Sequence, residues 1–167
     1  QLVLLCDVSK SMDLYSQFLI QFSYAFQYGY RRMETFIFST QLERITPALR
    51  TADYETAMQA LSAKTSVWSG GTRIGASLEA FYRTYQRLVH KKTVLIILSD
   101  GMDTGEQELM ELVMSKLYQR TGRIIWLNPL AGRPGYAPAV RGMQVAMPFI
   151  DVFASAHNLD SLRALAR

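Results

Sequence analysis

Three short runs of apolar residues each stop abruptly at polar ones, and they constrain the fold more than anything else in the chain. Leu2-Val3-Leu4-Leu5-Cys6 ends at Asp7. Thr93 to Leu98 ends at Ser99-Asp100-Gly101. Ile124-Ile125-Trp126-Leu127 ends at Asn128-Pro129. A strand that is apolar on both faces must be covered on both faces, which is the condition of a parallel sheet between helical layers. Met33 to Ser39 and Gln41 to Thr46 read as a further pair, the second more polar and so nearer an edge. Phe149 to Phe153 reads as a last strand.

Amphipathic segments fill the intervals. Asp13 to Tyr30 carries Leu14, Phe18, Phe22, Ala25 and Phe26 at helical spacing. Asp53 is placed to cap a helix reaching Ala63. Ile74 to His90 presents Leu78, Phe81, Tyr82, Tyr85, Leu88 and Val89 on one face. Asp103 or Thr104 is placed to cap a helix through Arg120, with Leu109, Leu112, Val113 and Leu117 inward. Asn158 opens a final helix through Ala166, and the Gly- and Pro-rich stretch from Asn128 to Pro148 reads as loop. The alternation predicts an α/β fold: a three-layer, doubly wound, mostly parallel sheet with one antiparallel edge strand. The 167 residues suit one domain over 1–167, and a start on an apolar strand without methionine suggests a domain cut from a longer protein.

Composition excludes several classes. Apolar residues make up 49% of the chain, too many for disorder, and one cysteine, Cys6, cannot build a disulfide scaffold. Its place in an apolar run makes Cys6 a small core residue. The net charge of +4 invites a nucleic-acid reading, but the excess is scattered. It lies between residues 31 and 92, on Arg31, Arg32, Arg44, Arg50, Lys64, Arg73, Arg83, Arg87, Lys91 and Lys92, across several elements. The uncharged stretch from Leu14 to Tyr30 is too short and too rich in glutamine to span a bilayer. Its tyrosines Tyr15, Tyr24, Tyr28 and Tyr30 either form a contact surface or pack under neighbouring loops.

In open α/β sheets, sites form beyond the carboxyl ends of the strands. Three segments stand out: Asp7-Val8-Ser9-Lys10-Ser11 and Ser99-Asp100-Gly101, each directly after a strand, and Ser69-Gly70-Gly71-Thr72, directly before the third helix. Each alone reads equally as a turn or a helix cap. Together they offer two carboxylates and several hydroxyls, hard oxygen donors that suit Mg²⁺ and lack the histidine or thiolate that zinc prefers. There is no P-loop, no Ser–His–Asp set, and no second carboxylate two residues after Asp7 such as an aspartyl-phosphate phosphatase carries. His90 and His157 read as structural or solvent-facing.

At these residues the sequence resembles a known family. Asp7-x-Ser9-x-Ser11, then Thr72, then Asp100 is similar to the metal-ion-dependent adhesion site of von Willebrand factor A domains, in order and spacing. Trp68 to Gly75, Leu98 to Asp103, Trp126 to Leu130 and His157-Asn158-Leu159 resemble the CoxE-like branch of that family. The resemblance implies that Ser9 and Ser11 bind the ion through hydroxyls and that Thr72, Asp7 and Asp100 bind directly or through water. Mg²⁺ is the implied ion, with Mn²⁺ or Ca²⁺ as substitutes. A partner's glutamate or aspartate would fill the open position. Lys10 departs from the glycine usual in the motif. With Met12, Arg73, Met102 and Asp103 it forms the expected partner contact.

CoxE-like proteins are similar to accessory factors that work with MoxR-type AAA+ ATPases in maturing client enzymes. The implied role is therefore a cytoplasmic, non-catalytic adaptor. A Mg²⁺-dependent hydrolase or phosphatase and a cell-surface adhesion module are the alternatives.

Overall fold

The computed structural model describes residues 1–30, 32–51, 53–65 and 71–156. Its centre is a six-stranded sheet: β1 (Leu2–Asp7), β2 (Met33–Phe38), β3 (Leu42–Arg44), β4 (Val94–Leu98), β5 (Arg123–Asn128) and β6 (Val152–Ser155). The spatial order is β3-β2-β1-β4-β5-β6. All neighbours are parallel except β3, which runs antiparallel to β2 at the edge, as its polar sequence predicts. The edge is marked by an ion pair from Arg44 on β3 to Glu34 on β2, at 2.7 Å.

The helices are α1 (Asp13–Gly29), α2 (Thr46–Thr51), α3 (Tyr54–Thr65), α4 (Ile74–Thr84), α5 (Gln107–Arg120) and α6 (Arg141–Ala146). Strand alternation sorts the core into two halves. Val3 and Leu5 face one side with Phe36, Leu95, Ile97 and Trp126, under Leu78 and Phe81 of α4 and Met110, Val113 and Leu117 of α5. Leu4 and Cys6 face the other side with Met33, Ile37, Leu98 and Leu127, where Phe22 and Phe26 of α1 and Leu49 of α2 pack. A helical layer on each face is the doubly wound arrangement.

One polar anchor joins α1 to the sheet. The buried amide of Gln27 donates to the Met33 carbonyl at 2.9 Å and accepts from the Thr35 hydroxyl at 3.0 Å. Burying an amide is tolerable because both ends are paired. Asp53 caps α3 as expected, accepting from the Thr56 backbone at 3.0 Å.

Several expectations need correction. Leu14 is 86% and Leu112 51% exposed, so neither is inward. Leu14 lies in the first turn of α1. The predicted strand from Gln41 to Thr46 shortens to Leu42–Arg44, because Thr46 begins α2. The helix from Ile74 stops at Thr84 and gives way to a 3₁₀ turn, Gln86–Leu88. The Asn128–Pro148 stretch contains α6, which Gly142 conceals from propensity: it lets the helix backbone approach Gly101, where a Cβ would run into the Gly101 carbonyl. The last strand begins at Val152, not Phe149. Trp68 to Gly70, His157 and the final helix lie outside the described residues, as do the side chains of Phe18, Ala25 and Tyr28. Tyr15 and Tyr24 pack against the core, whereas Tyr30 is exposed.

Candidate metal centre

The chain leaves β1 in the middle of the sheet, winds outward to β3, and returns to β4 on β1's other side. The switch point therefore lies between the ends of β1 and β4. Cys6 is in register with Leu98, so Asp7 and Ser99 emerge side by side. The Ser99 hydroxyl donates to Asp7 Oδ2 at 2.6 Å. The Ser9 backbone N–H donates to Asp7 Oδ1 at 2.9 Å, closing a turn that carries Ser9 over the strand end. Ser9 then opens a single 3₁₀ turn, Lys10–Met12. Its hydroxyl lies 3.1 Å from that of Ser11.

Asp100 repeats the device after β4. Its Oδ1 accepts from the Met102 backbone at 2.9 Å. Gly101 completes the turn at φ +81°, a conformation that favours glycine. Thr72 comes from the third segment, just before α4. The Thr72 carbonyl accepts from Thr104 twice, from its backbone and its hydroxyl, both at 2.8 Å. The next residue, Arg73, donates its backbone N–H to Ser39 beyond β2, at 3.0 Å. Three loops are thereby knitted at one edge of the sheet.

The electrostatics of this edge are unusual. Asp7, Ser9, Thr72 and Asp100 are all buried. Among the described residues no cation pairs with Asp7 or Asp100. The Asp7 carboxyl is pushed up to about 6, first by burial and last by the charge of Asp100, against the hydroxyls and backbone of Ser9 and Ser99, which pull it down. Asp100 Oδ2 and the Thr72 hydroxyl take no hydrogen bond from the described residues, and neither oxygen is sealed from solvent. Two neighbouring buried carboxylates are costly without a cation, even with the hydrogen bonds they accept. A divalent cation would supply the compensation and accept the unpartnered oxygens.

The donor set therefore fits a hard dication. Among the described residues no cluster of three His, Cys, Asp or Glu side chains exists. An ion bound here depends on hydroxyls as well as carboxylates.

Of the expected ligands, Asp7, Ser9, Ser11 and Asp100 stand just beyond the ends of β1 and β4, and Thr72 stands before α4 on a loop tied to Ser39 and Thr104. The expected partner contacts divide. Lys10, Arg73 and Met102 are exposed around it. Met12 is not available, because the 3₁₀ turn points it inward and it is fully buried in the core. Asp103 is half-buried and its Oδ1 is engaged by the backbone N–H groups of Ile74, at 2.9 Å, and Gly105, at 3.1 Å. It caps α4 from a neighbouring loop rather than α5, which begins after Glu106. Ser99 and Asn128 were legible only as polar residues ending apolar strands, and both prove to hold the site's carboxylate loops.

Sequence comparison agrees with this fold. The chain belongs to the family described as VWA domain containing CoxE-like protein, whose model matches residues 1–162. No curated protein sequence matches it. Among solved structures it is similar to the conserved hypothetical protein BatB from Bacteroides thetaiotaomicron, at 15% identity and a TM-score of 0.61, covering 99% of this chain and 94% of that one. It is similar to a von Willebrand factor type A protein from Catenulispora acidiphila, at 14% identity and a TM-score of 0.62, covering 98% of this chain and 40% of that one. It also resembles proximal thread matrix protein 1 from the mussel byssus, whose MIDAS motif holds zinc, at 14% identity and a TM-score of 0.56, covering 99% and 45%. At these identities the likeness concerns the fold. The chain spans less than half of the Catenulispora and mussel proteins. Among the described residues no helix is long and apolar enough to cross a membrane.

Proposed function

We propose that this chain is a metal-dependent protein-binding module that uses a divalent ion, Mg²⁺ in the first instance, to capture an acidic side chain of a partner. The observation that carries the reading is the pair of carboxylates at the switch point: Asp7 and Asp100 are buried residues, and among the described residues no cation compensates either. Ser9, Ser11 and Thr72 would hold the ion through hydroxyls, with Asp7 and Asp100 binding it directly or through water. The ion would supply an electron-poor centre with an open position for a glutamate or aspartate. Lys10, Arg73 and Met102 would flank the incoming partner. The zinc in the MIDAS motif of the mussel protein supports divalent binding in the wider family.

The finer role rests on family membership. We infer a non-catalytic cytoplasmic adaptor that links a MoxR-type AAA+ ATPase to a client enzyme during maturation. The test is a pull-down of the chain with such an ATPase, with and without chelator. Capture only in the presence of metal supports the adaptor. Capture that survives both chelation and Asp100→Ala removes the metal bridge from the reading. Release of phosphate from model phosphoesters in Mg²⁺, abolished by the same substitution, would put a hydrolase in its place.

A further inference from the structure

Asn128 ends β5, is fully buried, and spends its whole side chain on the neighbourhood of Asp100. Its Nδ2 donates to the Asp100 carbonyl at 3.1 Å and to the Tyr136 hydroxyl at 2.8 Å. Its Oδ1 accepts from the Leu130 backbone at 2.8 Å. The amide can face only one way: the Asp100 carbonyl only accepts and the Leu130 N–H only donates. Tyr136 adds a third fixed point. The 129–136 loop is tied in turn to α1, the helix after Ser11, where Arg133 donates to the Tyr15 hydroxyl at 2.9 Å.

We propose that Asn128, oriented by Tyr136, is the positioning residue of the metal centre, holding the Asp100 turn so that Oδ2 stays available to the ion. This rests on the metal-binding reading. Asp100 is held by its own side chain through Met102 and by its carbonyl through Asn128. Asn128 is not in the expected donor set, so its effect passes through Asp100. Such supporting partners typically set metal affinity over about 10- to 100-fold. Asn128→Asp keeps an acceptor for Leu130 but turns an anionic oxygen toward the Asp100 carbonyl. Tyr136→Phe removes the hydroxyl that orients the amide while keeping the ring.

The experiment titrates Mn²⁺ into the protein by electron paramagnetic resonance, with Mg²⁺ as competitor. In parallel, hydrogen exchange of the Met102 amide is followed by NMR in metal-free protein. Asn128→Asp should weaken Mn²⁺ binding about tenfold or more, and Tyr136→Phe by a smaller factor. Both should speed Met102 exchange. Leu117→Ala, a core truncation on α5, should do neither, which separates positioning from general destabilisation. If Asn128→Asp does not fold, Tyr136→Phe decides. Unchanged Met102 exchange in the folded variants overturns the proposal. So does Mn²⁺ affinity within twofold of the parent in those variants, where the parent binds Mn²⁺. Faster Met102 exchange in a protein whose parent binds no Mn²⁺ upholds the positioning role and defeats the metal-binding reading.

Discussion

The Ser99 hydroxyl, one residue beyond β4, donates to Asp7 Oδ2 at the end of β1 across 92 positions of sequence, at 2.6 Å. It links the two strands whose divergence creates the site. It also shares the solvation of a buried carboxylate with the Ser9 backbone N–H. Ser99→Ala should therefore cost about 1–3 kcal/mol of stability through the acceptor it leaves behind. It should also move the Asp7 titration further up, since the hydroxyl pulls that carboxyl down. Denaturant unfolding checks the first outcome and carboxyl ¹³C titration the second. No upward movement would show that water replaces the hydroxyl.

The Asp7 titration predicts how the metal-free protein responds to pH. Burial pushes its folded carboxyl up to about 6, above the ordinary aspartate value of 3.8. Between those values the native state holds a proton that the unfolded state has lost. Stability is then highest at the acid end and falls as pH rises from about 4 to about 6. A shift of this size corresponds to roughly 2–3 kcal/mol. Asp7→Asn should flatten that part of the profile. Unfolding free energies measured at closely spaced pH values in chelator provide the check, and a parent profile that is already flat refutes it.

Adding metal should reverse the slope. The ion competes with the proton at Asp7, so Mg²⁺ or Mn²⁺ binding should weaken below pH 6 and release protons there. Saturating metal at about 100 times its dissociation constant should add roughly 2.7 kcal/mol to stability. Ser9→Ala with Ser11→Ala, or Asp100→Ala, should abolish that gain while leaving the chelated protein folded. Thermal denaturation with and without metal measures both. A melting point that never responds to the ion would contradict the site.

How much of this is legible in the sequence follows from which interactions are local. Asp7, Ser9 and Ser11 form a turn within five residues, and Asp100 closes its turn on Met102, so the local pattern shows the turns, while each segment alone reads equally as a helix cap. The apolar runs announce the parallel strands because burial on both faces leaves no polar alternation. Non-local geometry is different. Nothing in Met12 distinguishes an exposed neighbour of Ser11 from a buried one; the 3₁₀ turn decides it. Asp103 looks like a cap for the helix that follows, but the approach of another loop redirects it to Ile74. Leu14 and Leu112 obey helical spacing, yet both are exposed, and on α5 it is Met110, Val113, Met114 and Leu117 that are buried. The hold of Asn128 on Asp100 joins two strand ends that periodicity cannot pair.

The close approach of α6 to the Asp100 turn yields a last prediction. Gly142 lies where a Cβ would collide with the Gly101 carbonyl and press on the Asp103 side chain. Neither obstacle is a flexible chain end, since one is backbone and the other is held by Ile74 and Gly105. Gly142→Ala must therefore displace either the helix or the turn. Overpacking of this kind costs about 1–3 kcal/mol, against which the gain in helix propensity is smaller. If the turn gives way, Asp100 moves with it, and metal affinity falls together with stability. If the helix gives way, stability falls alone. Paired measurement of unfolding free energy and Mn²⁺ affinity distinguishes the two, and the three hydrogen bonds on the Asp100 and Asp103 side chains, against a six-residue helix, favour movement of the helix. The expected outcome is a less stable protein that still binds the ion within about threefold of the parent, an affinity change worth no more than about 0.7 kcal/mol. An unchanged unfolding free energy would mean that the two backbones are not in contact as described.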